Sequence, residues 1–265
     1  MDPVAPPSPG TLFALGALAS LGASLGTALG ALPVLAFRRV SVRAQDVLQS
    51  VAAGIMLAAT AFSLVMPGMV AARAQTGAQL AAALVVTGGI LLGAAAVHLV
   101  HRHAPHLHFQ GGPEGPPSRR LTQVWLFVVA ITLHNFPEGM AVGVGFGGGI
   151  PSGTTLGVAI FLQNLPEGFL VALGLYAAGY RRARAVLVSC ATGLVETVGG
   201  LFGAAAVAAA AAALPWAMGI AAGAMLFVIS HEIVPETHRN GHEVEATFGL
   251  VAGFVLMLVM GAALG

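Results

Sequence analysis

The sequence contains no lysine, a single cysteine and few charged residues of any kind. Of its 265 residues, 8% are charged, and all 11 basic residues are arginine. Soluble globular domains carry about 25% charged residues, so this composition excludes a protein with a water-facing surface all round. Cys190 has no partner for an internal disulfide and cannot build a cysteine-based zinc cluster. The net charge of +1 gives no basis for binding nucleic acid.

The sequence consists largely of long apolar runs. Hydrophobic residues make up 57% of the chain, and 36 glycines suit closely packed membrane helices. A membrane-crossing helix needs about 20 mostly apolar residues. Eight such runs predict an all-α, polytopic membrane helix bundle that is embedded in the lipid bilayer, with crossings at about 11–37, 46–71, 78–101, 121–147, 154–179, 184–213, 215–233 and 245–264.

The segments between and before these runs define one domain. Residues 1–10 are rich in proline and lack the basic start of a signal peptide, so we expect a short disordered lead. Residues 11–265 are expected to form a single transmembrane domain. Its longest polar interruption is a histidine-rich loop at about 102–120, whereas residues 148–153 are expected to form only a tight turn.

The arginines predict the orientation in the membrane. Alternating the eight crossings places Arg73 on one side and ten arginines on the other: Arg38, Arg39, Arg43, Arg102, Arg119, Arg120, Arg181, Arg182, Arg184 and Arg239. Loops that stay in the cytoplasm collect basic residues. The arginine-rich side is therefore predicted to be cytoplasmic, both termini to be extracytoplasmic, and the location to be a bacterial inner (plasma) membrane.

Four ionisable residues lie near the centres of predicted crossings. They are His134 and Glu138 in the fourth, Glu167 in the fifth and Glu196 in the sixth. One such residue could be a neutral, hydrogen-bonded group that joins helices. Because burying charge in a bilayer is costly, four together, three of them acidic, indicate a functional site.

A six-residue pattern occurs twice, as HNFPEG at residues 134–139 and QNLPEG at 163–168. In each copy the first residue and the Glu are four apart, and the Asn and the Glu three apart, so all three share one helical face. Pro137 and Pro166 cannot donate to the carbonyls of the preceding turn. They predict kinks in helices four and five beside these polar side chains.

The side chains of this pattern are of types that bind metal ions in proteins. Imidazole, carboxylate and amide groups together suit a borderline divalent transition metal better than calcium or magnesium. Three carboxylates would neutralise most of the charge of two divalent cations, and protons should compete with the metal for them. Zn²⁺ is the expected ion, as substrate, and Cd²⁺, Fe²⁺ and Mn²⁺ stay open.

These motifs resemble the ZIP (Zrt-/Irt-like protein) family of metal transporters, and its bacterial members most. The similarity rests on HNFPEG, QNLPEG, GLVE at 193–196 and AGAMLFVISHEIVPETHRNGHE at 222–243. It implies eight crossings with both termini outside, and metal transport into the cytoplasm. It also implies a transport domain with helices four and five that slides past a scaffold. A homodimer of the scaffold is compatible with the resemblance, although no residue pattern indicates one.

The resemblance further implies a binuclear metal site at the centre of the path. One ion would be held by Met56, His134, Glu138, Gln163 and Glu167. The second would be held by Asn135, Glu138, Glu167 and Glu196, with Glu138 and Glu167 bridging. Asn164 departs from the pattern, because close relatives carry Asp there, and the lost charge predicts weaker binding of the second ion.

Histidines also collect at the predicted cytoplasmic end of the third helix and in the following loop: His98, His101, His103, His106 and His108. Histidine-rich tracts commonly bind metal, although a solvated polar loop is the alternative. His231 and Glu232 are expected to end helix seven on the same side. We expect His231, Glu232, His101, His103, His106 and His108 to form a release or sensing site.

Two other functions fit a buried metal site. An intramembrane zinc-dependent hydrolase would use a metal-activated water and a general base such as Glu196 or Glu232. The sequence lacks a second catalytic constellation, because HEIVP at 231–235 is not HExxH. A metal-gated receptor would need a soluble output domain, and no loop is long enough. We therefore expect a transporter or channel and not an enzyme.

Overall fold

The computed structural model describes residues 8–36, 40–103, 106–108, 112–114 and 123–264. Within these residues eight long helices follow one another, and we number them α1 to α8. Their bounds are Pro9–Leu35, Val42–Thr76, Gln79–His103, Gln123–Gly145, Ile150–Ala177, Arg182–Ala209, Leu214–Thr237 and Glu243–Leu264. Each matches one predicted apolar run, which confirms the helical bundle and the number of long helices.

Length and composition fit a membrane protein. Seven helices of the described chain, all except α4, are long and apolar enough to cross a bilayer. Helix α4 has 23 residues, which is also a crossing length, and it packs along α6 over much of that length. The protein is therefore a multi-pass membrane protein.

The eight helices pack as two sets of four. The first helix group comprises α1, α4, α5 and α6, and the second helix group comprises α2, α3, α7 and α8. In the first, α1 packs on α5 and α6, and α4 packs on α6; in the second, α2 pairs with α8 and α3 with α7. The two groups meet mainly where α2 faces α5 and where α4 faces α7.

Glycine allows the tightest of these contacts. A Cβ atom at Gly139 of α4 would lie 1.7 Å from the carbonyl oxygen of Glu196 on α6, so only glycine fits without separating the two backbones. Because Gly139 directly follows Glu138, this contact also brings two of the predicted site residues together. Close approach of small residues is how helices associate where water supplies no hydrophobic driving force.

Side-chain contacts show which helix ends lie together. Arg182 at the start of α6 donates to the carbonyl of Leu35 at the end of α1. At the same end, Arg43 of α2 pairs with Glu245 of α8 at 2.9 Å. Consecutive helices thus run in alternate directions, as the prediction requires, and the end carrying these arginines is called the arginine end below.

Three boundaries differ from expectation. Helix α1 begins at Pro9, within the expected lead, because the Ser8 hydroxyl accepts from the Thr11 amide and proline suits the first helical turn. Helix α5 begins at Ile150, because a 3₁₀ turn at Phe146–Gly148 followed by Gly149, with φ of 114°, completes the connection from α4. Between α3 and α4, β1 (His106–His108) pairs antiparallel with β2 (Gly112–Glu114) inside the predicted loop.

Helix α7 does not end at His231 and Glu232, which corrects that expectation. It passes through a π-helical turn at Ile229–Ile233 and continues to Thr237, so that Glu232 is buried inside the bundle. The helix continues through Pro235 because that residue falls in the first turn after the π-helical turn, where proline is tolerated. Helices α4 and α5 likewise run unbroken through Pro137 and Pro166, and the kinks predicted there stay a prediction.

Helix α2 contains the second π-helical turn, at Thr60–Val65, and it is also followed by a proline. Pro67 has no N–H to donate to the carbonyl of Ser63, one turn earlier. The hydroxyl of Ser152, on α5 of the first helix group, donates to that carbonyl at 3.2 Å. This bond satisfies the freed carbonyl and links the two helix groups at the end opposite the arginines.

Candidate functional site

The predicted ionisable residues all face the interior of the bundle. The two copies of the repeated pattern lie on α4 and α5, and Glu196 lies on α6, so the first helix group supplies them all. His134, Asn135, Glu138, Gln163, Asn164 and Glu196 are buried, and Glu167 is half-buried. Burial of six polar side chains in apolar helices cannot come from packing alone, because each costs free energy unless it finds a partner.

Three carboxylates form the centre of this site, which we call the carboxylate cluster: Glu138, Glu167 and Glu196. Glu167 interacts electrostatically with both of the others, and Glu138 with Glu196. One oxygen of each, Oε2 of Glu138 and Oε1 of the other two, is buried without a hydrogen-bond partner. Carboxylates that lack donors and interact with one another electrostatically fit a bound cation, which would offset their mutual repulsion.

Amide side chains surround the carboxylate cluster. The Nδ2 atom of Asn164 donates to Oε2 of Glu196 at 2.7 Å and to the carbonyl of Ala23 at 3.0 Å. Both partners only accept, so the nitrogen must face them. The amide of Gln163 hydrogen-bonds to Glu138, and its Oε1 has no partner, nor do Oδ1 and Nδ2 of Asn135. The amide oxygens of Asn135 and Gln163 are thus available as further ligands.

A second set of polar side chains lies beside the first and joins the two helix groups. Glu232 of α7 contacts Nε2 of His134 through Oε2, and Nε2 of His101 through Oε1 at 2.9 Å. The two imidazole rings stack with their centres 6.1 Å apart. Each of the three residues offers one ligand atom, and these atoms lie within 4.8 Å of one another. We call these residues the His–Glu–His cluster.

Two imidazoles and a carboxylate are ligands that zinc accepts at a site with an open fourth position. All three residues are buried, although His101 and Glu232 lie close to the arginine ends of α3 and α7. His134 is one helical turn from Glu138 and belongs to the same face of α4. The two clusters therefore adjoin on α4, and the His–Glu–His cluster lies nearer the arginine end.

Comparison with known proteins identifies the family. The ZIP family, described as ZIP Zinc transporter, matches residues 94–261, which is more than half of the chain. The chain belongs to the ZIP family. The matched region contains every residue of the carboxylate cluster and the His–Glu–His cluster, so the ligands on α3 to α7 fall inside the family's shared part.

Several ZIP relatives cover almost the whole chain. Zinc transporter ZIPB of Bordetella bronchiseptica is 51% identical over 251 residues, which are 93% of this chain and 81% of the relative. Zinc transporter GufA of Myxococcus xanthus is 46% identical over 94% of this chain and 99% of its own. Zinc transporter ZIP11 of Homo sapiens is 34% identical, with 90% and 94% covered.

Membership of the ZIP family settles the class of function. ZIP proteins are membrane transporters of metal ions, so this protein is a transporter and not an enzyme. The prediction of a metal transporter is confirmed, and the alternative of an intramembrane hydrolase has no support among the relatives.

The other residues predicted for the metal site or the release site lie outside the two clusters. Met56 of α2 is buried in the largest apolar core of the bundle, beside helix α5 of the first group. His103 is exposed, with Nδ1 2.8 Å from the carbonyl of Leu99. His231 is also exposed, and its ring lies 4.9 Å from Phe227 and 6.2 Å from His101. The side chains of His106 and His108 lie outside the described part.

Sequence reasoning had assigned His101 and Glu232 to a peripheral release site, whereas the structure brings both into contact with His134. No local sequence pattern predicts this cluster, because its residues are far apart in the sequence and come from three helices. The signal that could have indicated this cluster is an ionisable residue within an apolar run. His101 and Glu232 each fall within or at the edge of a predicted crossing. The π-helical turn that buries Glu232 has no sequence signature.

Proposed function

We propose that this ZIP protein carries Zn²⁺ across the bacterial inner membrane into the cytoplasm, through the carboxylate cluster and then the His–Glu–His cluster. The observation that carries the proposal is the set of buried, unpartnered carboxylate oxygens on Glu138, Glu167 and Glu196. They adjoin a two-imidazole, one-carboxylate set that suits zinc. The relatives named above are zinc transporters, and this similarity supports zinc as the cargo here.

The ligands divide into two ion positions. His134, Glu138, Gln163 and Glu167, with Met56, hold the first ion. Asn135, Glu138, Glu167 and Glu196 hold the second, and Asn164 modifies it. The amide of Asn164 donates to one oxygen of Glu196, which a second cation would otherwise take. The second position is therefore the weaker of the two.

Release is directed towards the arginine end. An ion that leaves the carboxylate cluster through His134 meets Glu232 and His101 next, and these residues supply a second set of ligands before the aqueous exit. Because loops rich in arginine stay in the cytoplasm, this end faces inward and both termini face outward. Movement of the first helix group against the second would expose the ligands alternately to the two sides.

Other borderline cations fit the same ligands. Cd²⁺, Fe²⁺ and Mn²⁺ accept imidazole and carboxylate, so the ligand set favours Zn²⁺ without excluding them. Uptake into proteoliposomes, measured for each metal with and without a pH gradient, ranks these ions and shows whether protons drive the transport.

Removing the bridging carboxylates tests the proposed site. Glu138→Ala and Glu167→Ala each delete a charge shared by both ion positions, so we expect zinc uptake to fall to background. Glu196→Ala affects only the second position and should retain partial uptake. The measurements are uptake in proteoliposomes and the metal content of the purified protein by mass spectrometry.

The matched control is Glu243→Ala, which removes an exposed carboxylate at the start of α8 and should transport as the unaltered protein does. If Glu138→Ala and Glu167→Ala both kept unaltered uptake and metal content, the proposed site would be wrong.

A further inference from the structure

The arginine end of the first helix group carries a patch that neither the clusters nor the cargo explains. Arg181, Arg182 and Arg184 lie in the turn between α5 and α6 and in the first turn of α6. Arg181 and Arg184 are exposed, and Arg182 is half-buried. Together with Tyr176 and Tyr180 we call them the arginine patch.

The patch has an excess of positive charge. In the part of the chain that the structure describes, none of its three arginines pairs with a carboxylate. The acidic residues that the helices carry at this end belong to the second helix group, and they are Asp46 on α2, Glu236 on α7, and Glu243 and Glu245 on α8. At this end the acidic residues of the helices are thus confined to the second group, and the helices of the first carry only cations.

Aromatic side chains hold the guanidinium groups in place. The Arg182 guanidinium lies over the ring of Tyr176, 5.1 Å from its centre, and that of Arg184 lies 5.3 Å from the centre of Tyr180. The hydroxyl of Tyr180 accepts a hydrogen bond of 2.7 Å from the indole of Trp125 on α4. A guanidinium held against an aromatic face keeps its N–H donors at the edge of its plane, where a planar fork can bind an oxyanion in a bidentate manner.

The position of the patch along the helices determines its depth in the membrane. Helices α5 and α6 have 28 residues each, or about 42 Å at the usual rise, whereas the hydrocarbon core is about 30 Å thick. Their ends therefore extend about 6 Å beyond the core on each side, to the level of the lipid headgroups. Trp and Tyr are enriched at this level in membrane proteins, and the Trp125–Tyr180 pair lies there.

We propose that the arginine patch binds the phosphate headgroup of an anionic phospholipid of the membrane. Three guanidinium groups without carboxylate partners, two of them on exposed residues, lie beside aromatic rings at the end of the bundle. At headgroup depth they are the complement of a lipid phosphate. Because the patch caps the helix group that carries the carboxylate cluster, a lipid bound there attaches this group, and not the second, to the membrane surface.

Lipid retention by the purified protein tests this site. The protein is equilibrated with detergent micelles that contain phosphatidylglycerol or phosphatidylcholine, and the lipids retained are counted by native mass spectrometry. We expect selective retention of phosphatidylglycerol. The variant Arg181→Gln/Arg182→Gln/Arg184→Gln should lose this selectivity, with retention weakened about fivefold for each arginine removed.

The control variant is Arg43→Gln/Arg102→Gln/Arg239→Gln, which removes the same charge from the second helix group. It should retain phosphatidylglycerol as the unaltered protein does, because Arg43 is paired with Glu245 and Arg239 donates to the carbonyl of Pro235. In the described part of the chain none of the three lies over an aromatic ring, as Arg182 and Arg184 do. Equal loss in both variants would show attraction by overall charge and would overturn the site, as would full retention by the patch variant.

Two further arms complete the test. Arg181 is exposed, and the structure records no side-chain contact for it, so Arg181→Gln alone should fold even where the triple variant does not, and should still weaken retention about fivefold. Inorganic phosphate in millimolar excess should leave the lipid bound, because a headgroup is also held by its acyl chains. Displacement of the lipid by phosphate, or unchanged retention in Arg181→Gln, would contradict the proposal.

Discussion

At the scale of single residues, Asn164 is the side chain that distinguishes the proposed second ion position. Its amide nitrogen lies between Glu196 and the carbonyl of Ala23, so it supplies a hydrogen where a carboxylate would supply charge. We expect Asn164→Asp to bind a second zinc ion more tightly at neutral pH, because a fourth carboxylate joins the cluster. Metal stoichiometry by mass spectrometry or anomalous scattering measures this directly.

The same variant should also respond more strongly to acid. The added carboxylate must lose its proton to bind the ion, so occupancy of the second position should fall as pH is lowered. Asn164→Ala is the control, since it removes the hydrogen bond to Glu196 without adding charge. An unchanged stoichiometry in Asn164→Asp at every pH would contradict this account of the second position.

The histidines near the arginine end should separate into two kinds. His101 contacts Glu232 and stacks on His134, so we expect His101→Ala to weaken zinc affinity or uptake about tenfold or more, as the loss of a metal ligand or its close support does. His103 is exposed, and His103→Ala should transport close to the unaltered rate. The concentration dependence of uptake in proteoliposomes compares them. If His101→Ala transported as close to the unaltered rate as His103→Ala, His101 would lie outside the path.

At the scale of helices, the contact between α4 and α6 sets the distance between two carboxylates. A methyl group at Gly139 would collide with the carbonyl of Glu196, so Gly139→Ala should force the helices apart. We expect a loss of about 1–3 kcal/mol in stability and a larger fractional loss of zinc uptake, because Glu138 and Glu196 both shift. Thermal unfolding in detergent and uptake assays measure these effects.

The matched control for that change is Gly22→Ala on α1, where an added Cβ meets nothing within 4 Å. Alanine is the better helix former, so this variant should be at least as stable as the unaltered protein. Equal destabilisation in the two variants would mean that the close contact at Gly139 does not decide the outcome.

Helices show clearly what the sequence could predict. Apolar runs located all eight, because a bilayer demands about 20 apolar residues whatever the tertiary contacts. The repeated pattern predicted that Glu138 and Glu167 each share a helical face with the other polar residues of their copy, because these are three and four residues apart. Glu196 was predicted only from its position within an apolar run. Spacing cannot show which distant helix lies opposite His134, and for that reason its contacts with Glu232 and His101 were not predicted. The π-helical turns arise from backbone packing and leave no pattern in residue types.

At the scale of the whole molecule, the arginine bias makes orientation testable. In a Cys190→Ser background, Ala78→Cys lies at the end opposite the arginines, whereas Ala183→Cys and Arg239→Cys lie at the arginine end; all three replaced residues are exposed. We expect an impermeant thiol reagent to label only the first in intact cells. After permeabilisation all three should react, which is the control for accessibility. Labelling of Ala183→Cys from outside would reverse the orientation.

The bond between His134 and Glu232 has a consequence for how movement and cargo depend on each other. One partner belongs to each helix group, so the imidazole proposed to receive the ion also links the two groups. An ion that binds His134 at the carboxylate cluster must compete with Glu232 for this imidazole. The protein then has two conformations, with the contact between the helix groups made or broken. Because the ion binds the second more tightly, thermodynamic linkage requires that ion binding shift the equilibrium towards it by the same factor. A transporter built in this way would change conformation more readily loaded than empty.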